Sequence, residues 1–308
     1  MMVLSIFLMA VVVLSVYFAF NMGVDPKETE TGGFFDSMPP ENVPETEPPL
    51  FSEDMTEVTA VADEDMHHGY LILVNSDHEY SFGQEDIVVL YHNEEKSPSY
   101  GLLTASISCE HSILPHLNRL MDDYVEASGD EKAIVNSGYR TYAEQEEELL
   151  SRIESDGEEA AYKYVAVPGH SEHHTGLGLD IGANADRDWV IQNSYRYGFV
   201  QRYRTDKIAI TGIAYEYWHY RYVGEPHAEI MFRENLCLEE YIKFIHEYTY
   251  EYPYLFVSED GISYMIYHVG CEYDGETSLR IPRGYEYAVS GDNVDGFIVT
   301  VTLKGGAL

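Results

Sequence analysis

Basic side chains are scarce in this sequence, whereas acidic ones are abundant. The 308 residues include 18 Lys and Arg against 54 Asp and Glu, which gives a formal net charge of −36. An electrostatic field of that sign repels phosphate backbones and anionic membrane surfaces, and it keeps a protein soluble. The composition therefore predicts that nucleic acid is not a partner.

Cysteine is also rare. Cys109, Cys237 and Cys271 lie far apart in the chain and form no CxxC pair, so neither a thiolate zinc site nor a redox motif is expected. We expect buried, small apolar side chains at these positions, with one disulfide possible but no pairing assigned. The sequence also has no internal repeat.

Charge is missing altogether from residues 1–24. A helix that crosses a bilayer needs roughly 20 apolar residues, and this run is long enough. A cleaved signal peptide would have a basic start and a small-residue cleavage site, and a lipoprotein anchor would have a cysteine after the run. Neither pattern is present, so residues 1–24 are predicted to be a membrane anchor or uncleaved signal with a single span.

The following residues, 25–66, are rich in Pro, Glu, Thr and Asp. Such a composition buries too little apolar surface to fold, and its prolines favour an extended chain. Residues 25–66 are therefore predicted to be a disordered linker that holds a folded domain away from the membrane.

Residues 67–249 show the alternating patterns of a mixed domain. The apolar runs at 71–75 and 86–91 predict short strands, and helical spacing at 112–127 predicts a helix with Pro115 in its first turn. Residues 133–137 read as a strand that leads into a loop. Thr141 and Glu144 then form a capping box for the next helix.

The second half of this domain is less regular. A helix is predicted near residues 188–200, a strand and loop at 208–224, and one or two helices at 229–248. Residues 250–308 have an all-β pattern instead, because two apolar runs flank Asp260-Gly261, which is a strong hairpin signal. We predict a small C-terminal all-β module of unknown role.

Three polar clusters follow predicted strands, at residues 137–141, 168–182 and 215–224. A hydrolytic zinc site needs three protein ligands, an open position for water and a nearby base. His173, Asp180 and His219 could be the ligands and Glu216 the base. Because Glu216 and His219 are not in a helical HExxH motif, helix spacing alone cannot identify the site.

These clusters resemble the VanY-type D-alanyl-D-alanine carboxypeptidases, which are relatives of the VanX dipeptidases. The resemblance covers about residues 70–245 and is carried by Ser171-x-His173-x-x-Gly176-x-Gly178-x-Asp180 and by Glu216-x-x-His219, with Ser-Gly-Tyr-Arg-Thr at 137–141 in the expected order. Two departures are visible: Gly178 stands where Ala is usual, and Tyr217 stands where Pro is common. Neither position is a ligand.

The resemblance implies that His173, Asp180 and His219 bind Zn2+ and that Glu216 is the catalytic base. It places Arg140 where the family has an arginine that polarises the scissile carbonyl or holds the substrate. It also implies that Ser171 and Gln145 help to bind the peptide.

The residues leave some alternatives open. In a straight strand one face carries residues an even number apart, so His174 rather than His173 would share a face with Asp180, and His170 is a third candidate. The four polar residues could also form a network without a metal, and Arg140 could simply pair with a carboxylate.

The expected fold is α+β, with a central antiparallel sheet flanked by helices as in the family. The expected function is removal of the terminal D-Ala from peptidoglycan stem peptides, with the catalytic domain outside a bacterial cell membrane. An L,D-carboxypeptidase acting on tetrapeptide stems and a non-catalytic cell-wall-binding protein are the alternatives. The oligomeric state is unknown from the sequence.

Overall fold

The computed structural model describes residues 51–81, 83, 86–273 and 275–303, which belong to one compact unit. The predicted anchor at residues 1–24 and the predicted linker up to residue 50 lie outside the described residues. Within the described part of the chain, no helix is both long enough and apolar enough to cross a bilayer.

The strands of the described residues are numbered in chain order. They are β1 (Thr56–Ala62), β2 (Ile87–Val89), β3 (Gly101–Leu102), β4 (Ser108–Glu110), β5 (Ile134–Ser137), β6 (Gly178–Gly182), β7 (Phe199–Tyr203), β8 (Glu216–Tyr222), β9 (Tyr254–Val257), β10 (Ser263–Gly270), β11 (Glu276–Pro282), β12 (Glu286–Gly291) and β13 (Gly296–Leu303).

The α-helices are α1 (Leu114–Ser128), α2 (Tyr142–Asp156), α3 (Glu158–Ala161), α4 (Arg187–Asn193), α5 (Ile208–Thr211), α6 (Glu225–Arg233) and α7 (Leu238–His246). Short 3-10 turns lie at Glu53–Met55, Asp63–His67, His111–Ile113, Glu172–Thr175, Ser194–Tyr197 and Thr205–Lys207.

The central sheet has five strands in the order β3-β5-β6-β8-β7. Its pairs are antiparallel except for β3 and β5, which are parallel. In this register Asp180 on β6 lies opposite His219 on β8 and opposite Ser137 on β5. The α+β fold predicted from the sequence is confirmed, and the adjacent strands β6 and β8 carry Asp180, Glu216 and His219.

Helix α1 covers the central sheet. Its pattern of Leu117, Leu120, Met121 and Tyr124 forms one buried face, in a core that also contains residues of β6, β7 and β8. Proline lies in the first turn of α1, as predicted, because the first turn needs no backbone donor at that position. The predicted capping box is confirmed too: Thr141 accepts a hydrogen bond from the backbone N–H of Glu144 at the start of α2.

The C-terminal region is all-β, as predicted. Four antiparallel strands lie in the order β12-β13-β10-β9, and the predicted hairpin joins β9 to β10. A separate two-stranded sheet pairs β1 with β11.

Strand β1 overturns part of the predicted linker. Residues 56–62 pair along their whole length with β11, from Thr56 opposite Pro282 to Ala62 opposite Glu276. The segment contains two Thr and two Val residues, which favour strands, and Val61 packs against the C-terminal core. The prediction of disorder was wrong here because the Pro-rich composition of the preceding residues was extended across a β-forming segment.

The core is continuous across the predicted boundary at residues 249 and 250. One buried cluster contains Leu238, Tyr241 and Ile245 of α7 together with Ile266 of β10 and Ile298 of β13. The boundary therefore marks a change of secondary structure within one packed core.

Two segments differ from the predicted secondary structure. Residues 71–75 are largely buried but form no strand, apart from an isolated bridge at Asn75. Residues 208–211 form the short helix α5 instead of a strand. A short apolar run indicates that a segment is buried, but its periodicity does not show whether the segment is a strand or another buried structure.

The three cysteines are free thiols. Cys109 and Cys237 are buried, and burial raises the pKa of each thiol to about 12. They therefore behave as small apolar core residues, as the sequence predicts.

Candidate active site

Three side chains from three elements converge beside the interior strands β6 and β8 of the central sheet. His173 lies in the 3-10 turn Glu172–Thr175, Asp180 in the middle of β6, and His219 in the middle of β8. His219 Nδ1 is 3.0 Å from Asp180 Oδ1, and His173 Nε2 is 3.6 Å from Asp180 Oδ2. One ligand atom from each residue lies within 4.8 Å of the other two, so the three could hold a single metal ion.

The hydrogen bonds of the two histidines fit a metal ion. His173 Nδ1 is 2.7 Å from the carbonyl oxygen of Gly138, an acceptor, so the proton belongs on Nδ1 and Nε2 is free for a metal. His219 Nε2 is 3.1 Å from Glu172 Oε2, an acceptor, so the ring proton of His219 belongs on Nε2. Its Nδ1 then faces Asp180. Two ring lone pairs and a carboxylate that face one another can be bridged by a metal ion.

The electrostatics of these groups agree with that reading. Burial, together with nearby Arg140, lowers the pKa of His173 to about 3, so its ring is neutral. Burial alone would raise the pKa of Asp180, but the neighbouring histidines and Arg140 lower it to about 2. Burial alone would also lower the pKa of His219, yet hydrogen bonds to Asp180 and Glu172 raise it to about 9. The two carboxylates thus attract a positive charge to His219, which a proton or a metal ion can supply.

Glu172 was not singled out in the sequence, although it holds His219 in place. Its side chain is fully buried, and it accepts hydrogen bonds from Arg202 Nε at 2.8 Å and Arg221 Nη1 at 3.0 Å as well as contacting His219. Burial would raise the pKa of Glu172, but the two guanidinium groups outweigh burial and lower it below the usual range. Glu239 completes this buried network through two hydrogen bonds from Arg202, at 2.6 and 2.9 Å.

Glu216 begins strand β8 and lines the same cavity as the three converging residues. The cavity has a volume of about 170 Å3, and the Glu216 residue is only 6% exposed. Burial raises the pKa of this carboxyl to about 7. A carboxylate of that pKa can both accept and return a proton near neutral pH.

Arg140 also lines the cavity, and its guanidinium is held in place from several sides. It donates hydrogen bonds to Gln145 Oε1 at 2.8 Å and Ser137 Oγ at 3.2 Å, and its Nη2 is 3.9 Å from Asp180 Oδ2. Gln145 Nε2 in turn donates to the carbonyl oxygen of Ala166 at 2.8 Å. The Gln145 amide thus orients Arg140, while a direct contact between Gln145 and substrate stays a prediction.

Ser171 is buried beside the cavity and caps the turn that carries His173. Its hydroxyl accepts a hydrogen bond from the backbone N–H of His173 at 3.3 Å. Ser171 therefore fixes the position of a predicted ligand, in addition to lining the cavity.

His174, the alternative ligand, uses both ring nitrogens elsewhere. Its Nε2 accepts a hydrogen bond from the backbone N–H of Gly169 at 3.0 Å, and its Nδ1 is 2.7 Å from the carbonyl oxygen of Arg140. Strand spacing favoured His174 over His173, but β6 begins only at Gly178 and the histidines lie in the preceding turn. His170, the third candidate, directs Nδ1 to the carbonyl oxygen of Asn75 at 2.7 Å.

A larger cavity lies elsewhere in the described residues. It has a volume of about 820 Å3, and Tyr70, Tyr222, Tyr264 and Tyr287 are among its lining residues. None of the predicted site residues lines it, so chemistry rather than volume identifies the candidate site.

The family comparison covers every predicted site residue. Residues 106–225 match the family model described as VanY, D-alanyl-D-alanine carboxypeptidase. A D-alanyl-D-alanine carboxypeptidase of Enterococcus faecium is 35% identical over 261 residues, which is 81% of this chain and 80% of the relative.

A further relative and a solved structure are also similar to this chain. A protein of Enterococcus gallinarum, named as a bifunctional D-Ala-D-Ala dipeptidase and D-Ala-D-Ala carboxypeptidase, is 37% identical over 150 residues, or 44% of this chain and 77% of the relative. A crystal structure of the D,D-dipeptidase VanXYg in complex with a D-Ala-D-Ala phosphinate analogue matches with a TM-score of 0.71 and 31% identity. That likeness covers 81% of this chain and all of the other.

Proposed function

Because the chain belongs to the VanY family of D-alanyl-D-alanine carboxypeptidases, we propose that it is a zinc-dependent enzyme that removes the terminal D-Ala from peptidoglycan stem peptides. The observation that carries this proposal is the convergence of His173, Asp180 and His219 on one point, beside a cavity that Glu216 also lines.

His173, Asp180 and His219 would hold the ion. Two imidazoles and one carboxylate are a typical three-ligand set for catalytic zinc, which leaves a position open for water. When bound there, zinc would lower the pKa of a water molecule and polarise the scissile carbonyl.

Glu216 acts as the general base in this proposal. Its carboxylate takes a proton from the water that attacks the carbonyl carbon of the penultimate D-Ala. As the carbon–nitrogen bond breaks, Glu216 gives that proton to the amine of the departing D-Ala and returns to its carboxylate form. A pKa of about 7, raised by burial, suits both transfers.

Arg140 supplies positive charge to the substrate. Its held guanidinium can stabilise the oxygen that becomes negative in the transition state, or it can bind the terminal carboxylate of the peptide. Arg152 lines the same cavity, but its Nε is 2.8 Å from Asp156 Oδ2. Arg140 is therefore the better placed of these two cations. Ser171 and Gln145 complete the wall of the proposed peptide site.

The proposed partner is a stem peptide of the cell wall, and the proposed place of action is outside a bacterial cell membrane. A net charge of −36 supports this choice over a nucleic-acid partner. The proposed membrane anchor at residues 1–24 would hold the enzyme near its substrate.

Hydrolysis of defined substrates tests the proposal. Purified protein is incubated with a pentapeptide muropeptide that ends in D-Ala-D-Ala, with the corresponding tetrapeptide, and with the D-Ala-D-Ala dipeptide. We expect the pentapeptide to lose the mass of one D-Ala, EDTA to stop the reaction, and added Zn2+ to restore it. Cleavage of the tetrapeptide alone would identify an L,D-carboxypeptidase, and cleavage of none of them by zinc-loaded protein would favour a non-catalytic wall-binding protein.

The dipeptide is included for a specific reason. The solved structure with a TM-score of 0.71 is that of a D,D-dipeptidase, so dipeptidase activity is the second candidate for this site. A dipeptide cleaved much faster than the pentapeptide would contradict the proposed preference.

A further inference from the structure

A second cluster of metal-ligating side chains lies in the C-terminal part of the chain. It consists of His246, the last residue of α7, His268 on β10, and Asp292 and Asp295 on the loop between β12 and β13. One ligand atom from each of these four residues lies within 4.8 Å of the others. The cluster takes no part in the proposed hydrolysis.

Asp292 is fixed so that one carboxylate oxygen faces both histidines. Its Oδ1 accepts backbone N–H hydrogen bonds from Val294 at 2.8 Å, and from Asp295 and Gly296 at 3.0 Å each. Its Oδ2 is 2.8 Å from His246 Nε2 and 3.4 Å from His268 Nε2. Oδ1 thus holds the loop, and Oδ2 points into the cluster.

Hydrogen bonds satisfy this arrangement only in part, because His246 Nε2 bonds to Asp292 Oδ2 but His268 Nε2 makes no such bond. His268 Nε2 is buried and has no hydrogen-bond partner among the described residues, although Asp295 Oδ1 is only 3.2 Å away. The rings of His246 and His268 stack with their centroids 3.9 Å apart. Both Nε2 atoms thus face the same pair of carboxylates, and only that of His246 makes a hydrogen bond to one of them.

A divalent cation would give every one of these atoms a partner, because two ring lone pairs and two carboxylates would then face positive charge. Gly296 leaves room for this convergence. A Cβ at that position would lie 2.5 Å from His268 Nε2 and 2.3 Å from the carbonyl oxygen of Val269. Any side chain at position 296 would push the histidine out of the cluster.

We propose that His246, His268, Asp292 and Asp295 bind a second Zn2+ as a structural ion. Imidazole ligands favour zinc over calcium or magnesium, and four protein ligands close the coordination shell, as in structural sites. The ion would tie the end of α7 to β10 and to the loop between β12 and β13. Its binding is independent of the hydrolysis proposed for the first site.

Zinc content of the full chain tests the second site. We expect about two zinc ions per wild-type chain and about one in the double variant His246→Gln, Asp295→Asn. Asp295 is 56% exposed at its side chain, so the amide there should not disturb folding. The matched control is His111→Gln, because His111 also contacts two carboxylates, Asp86 and Glu95, but on the exposed surface. This control should keep both ions.

The variant His173→Ala separates the two sites. His173→Ala should still bind about one zinc ion, and its Tm should still rise by a few degrees when Zn2+ is added. Adding His246→Gln and Asp295→Asn to this variant should abolish both the bound zinc and the rise in Tm. The proposal would be overturned if wild-type protein bound about one zinc ion and the double variant still bound that ion. A Tm that rises with Ca2+ but not with Zn2+ would also overturn it. Muropeptide hydrolysis by the double variant keeps the two proposals distinct, since it should continue whether or not the second site binds zinc.

Discussion

The two clusters of histidine and aspartate in this chain are built from the same ligand types but have different surroundings. The first has three converging ligands, and Glu216 and Arg140 line the cavity beside it. The second has four converging residues and two stacked imidazoles. Catalytic zinc sites keep a position open beside a base, whereas structural sites fill every position with protein. We therefore propose that the converging side chains determine where metal would bind and that their neighbours determine the role of each ion.

The two clusters also differ in how their ligands are held. His219 in the first cluster depends on Glu172, which is in turn neutralised by two buried arginines. Asp292 in the second cluster is held by backbone N–H groups of its own loop. The first site therefore depends on a long-range charge network, whereas the second depends on local loop geometry.

The largest expected difference between the two clusters is the loss of activity when Glu216, which lies beside the first cluster only, is substituted. Glu216→Gln should lower kcat by about 10^2- to 10^4-fold, because it removes general-base catalysis. Zinc content should not change. Glu148→Gln is the matched control, since Glu148 also lines the cavity but is exposed. Hydrolysis of the pentapeptide and metal analysis of both variants check this, and full activity in Glu216→Gln would remove Glu216 as the base.

The next largest effect is at Glu172, a positioning residue. Glu172→Gln should weaken zinc binding at the first site by about 10- to 100-fold. It should also lower the free energy of unfolding by about 3–5 kcal/mol, because two buried arginines lose a partner. Zinc titration and urea unfolding measure the two effects separately.

Glu239→Gln is the control that distinguishes positioning from stability. Glu239 pairs with Arg202 in the same network, whereas the contact to His219 is made by Glu172. We expect Glu239→Gln to reduce stability but to leave zinc affinity nearly unchanged. Equal losses of zinc affinity in both variants would mean that Glu172 acts only through the fold.

A smaller effect is expected at Arg140. Arg140→Lys keeps the positive charge but loses the planar fork that contacts Gln145 and Ser137, so kcat/KM should fall by about tenfold. Arg152→Lys is the matched control and should have a weaker effect. Steady-state kinetics with the pentapeptide check this, and equal effects of the two substitutions would argue against a special role for Arg140.

The smallest expected effect is a change of rate with pH. Glu216 must be unprotonated to accept a proton, and burial raises its pKa to about 7. A neighbouring zinc ion favours the charged carboxylate and lowers that pKa. kcat/KM should therefore decrease on acidification, with an inflection somewhat below about 7. A pH profile of kcat/KM checks this, and a rate that increases on acidification would contradict the assignment.

Much of the fold was predictable because the signals are local. The helix at α1, the capping box at Thr141 and the hairpin around Asp260 each follow from neighbouring residues, and the structure confirms them. Strand β1 was missed because its stability comes from pairing with β11, more than 200 residues later. The Thr and Val residues of β1 favour a strand, but nothing in the local composition indicates a pairing partner so far along the chain.

In the site, too, residues in local motifs were predicted, whereas residues that depend on distant partners were missed. The structure brings together His173, Asp180 and His219, which lie in two short motifs. Glu172 was missed, although it precedes a predicted ligand, because its partners Arg202 and Arg221 come from two other strands. The second cluster likewise joins four residues from three separate elements, and no local spacing indicates it.

The most direct test of this account is an anomalous-scattering map, measured at the zinc absorption edge, from crystals of the full chain grown with Zn2+. We predict a peak about 2.0–2.2 Å from His173 Nε2, His219 Nδ1 and an oxygen of Asp180. A map with no peak among these three side chains at saturating zinc, or with a peak bound by His174 instead, would contradict the proposed hydrolytic site.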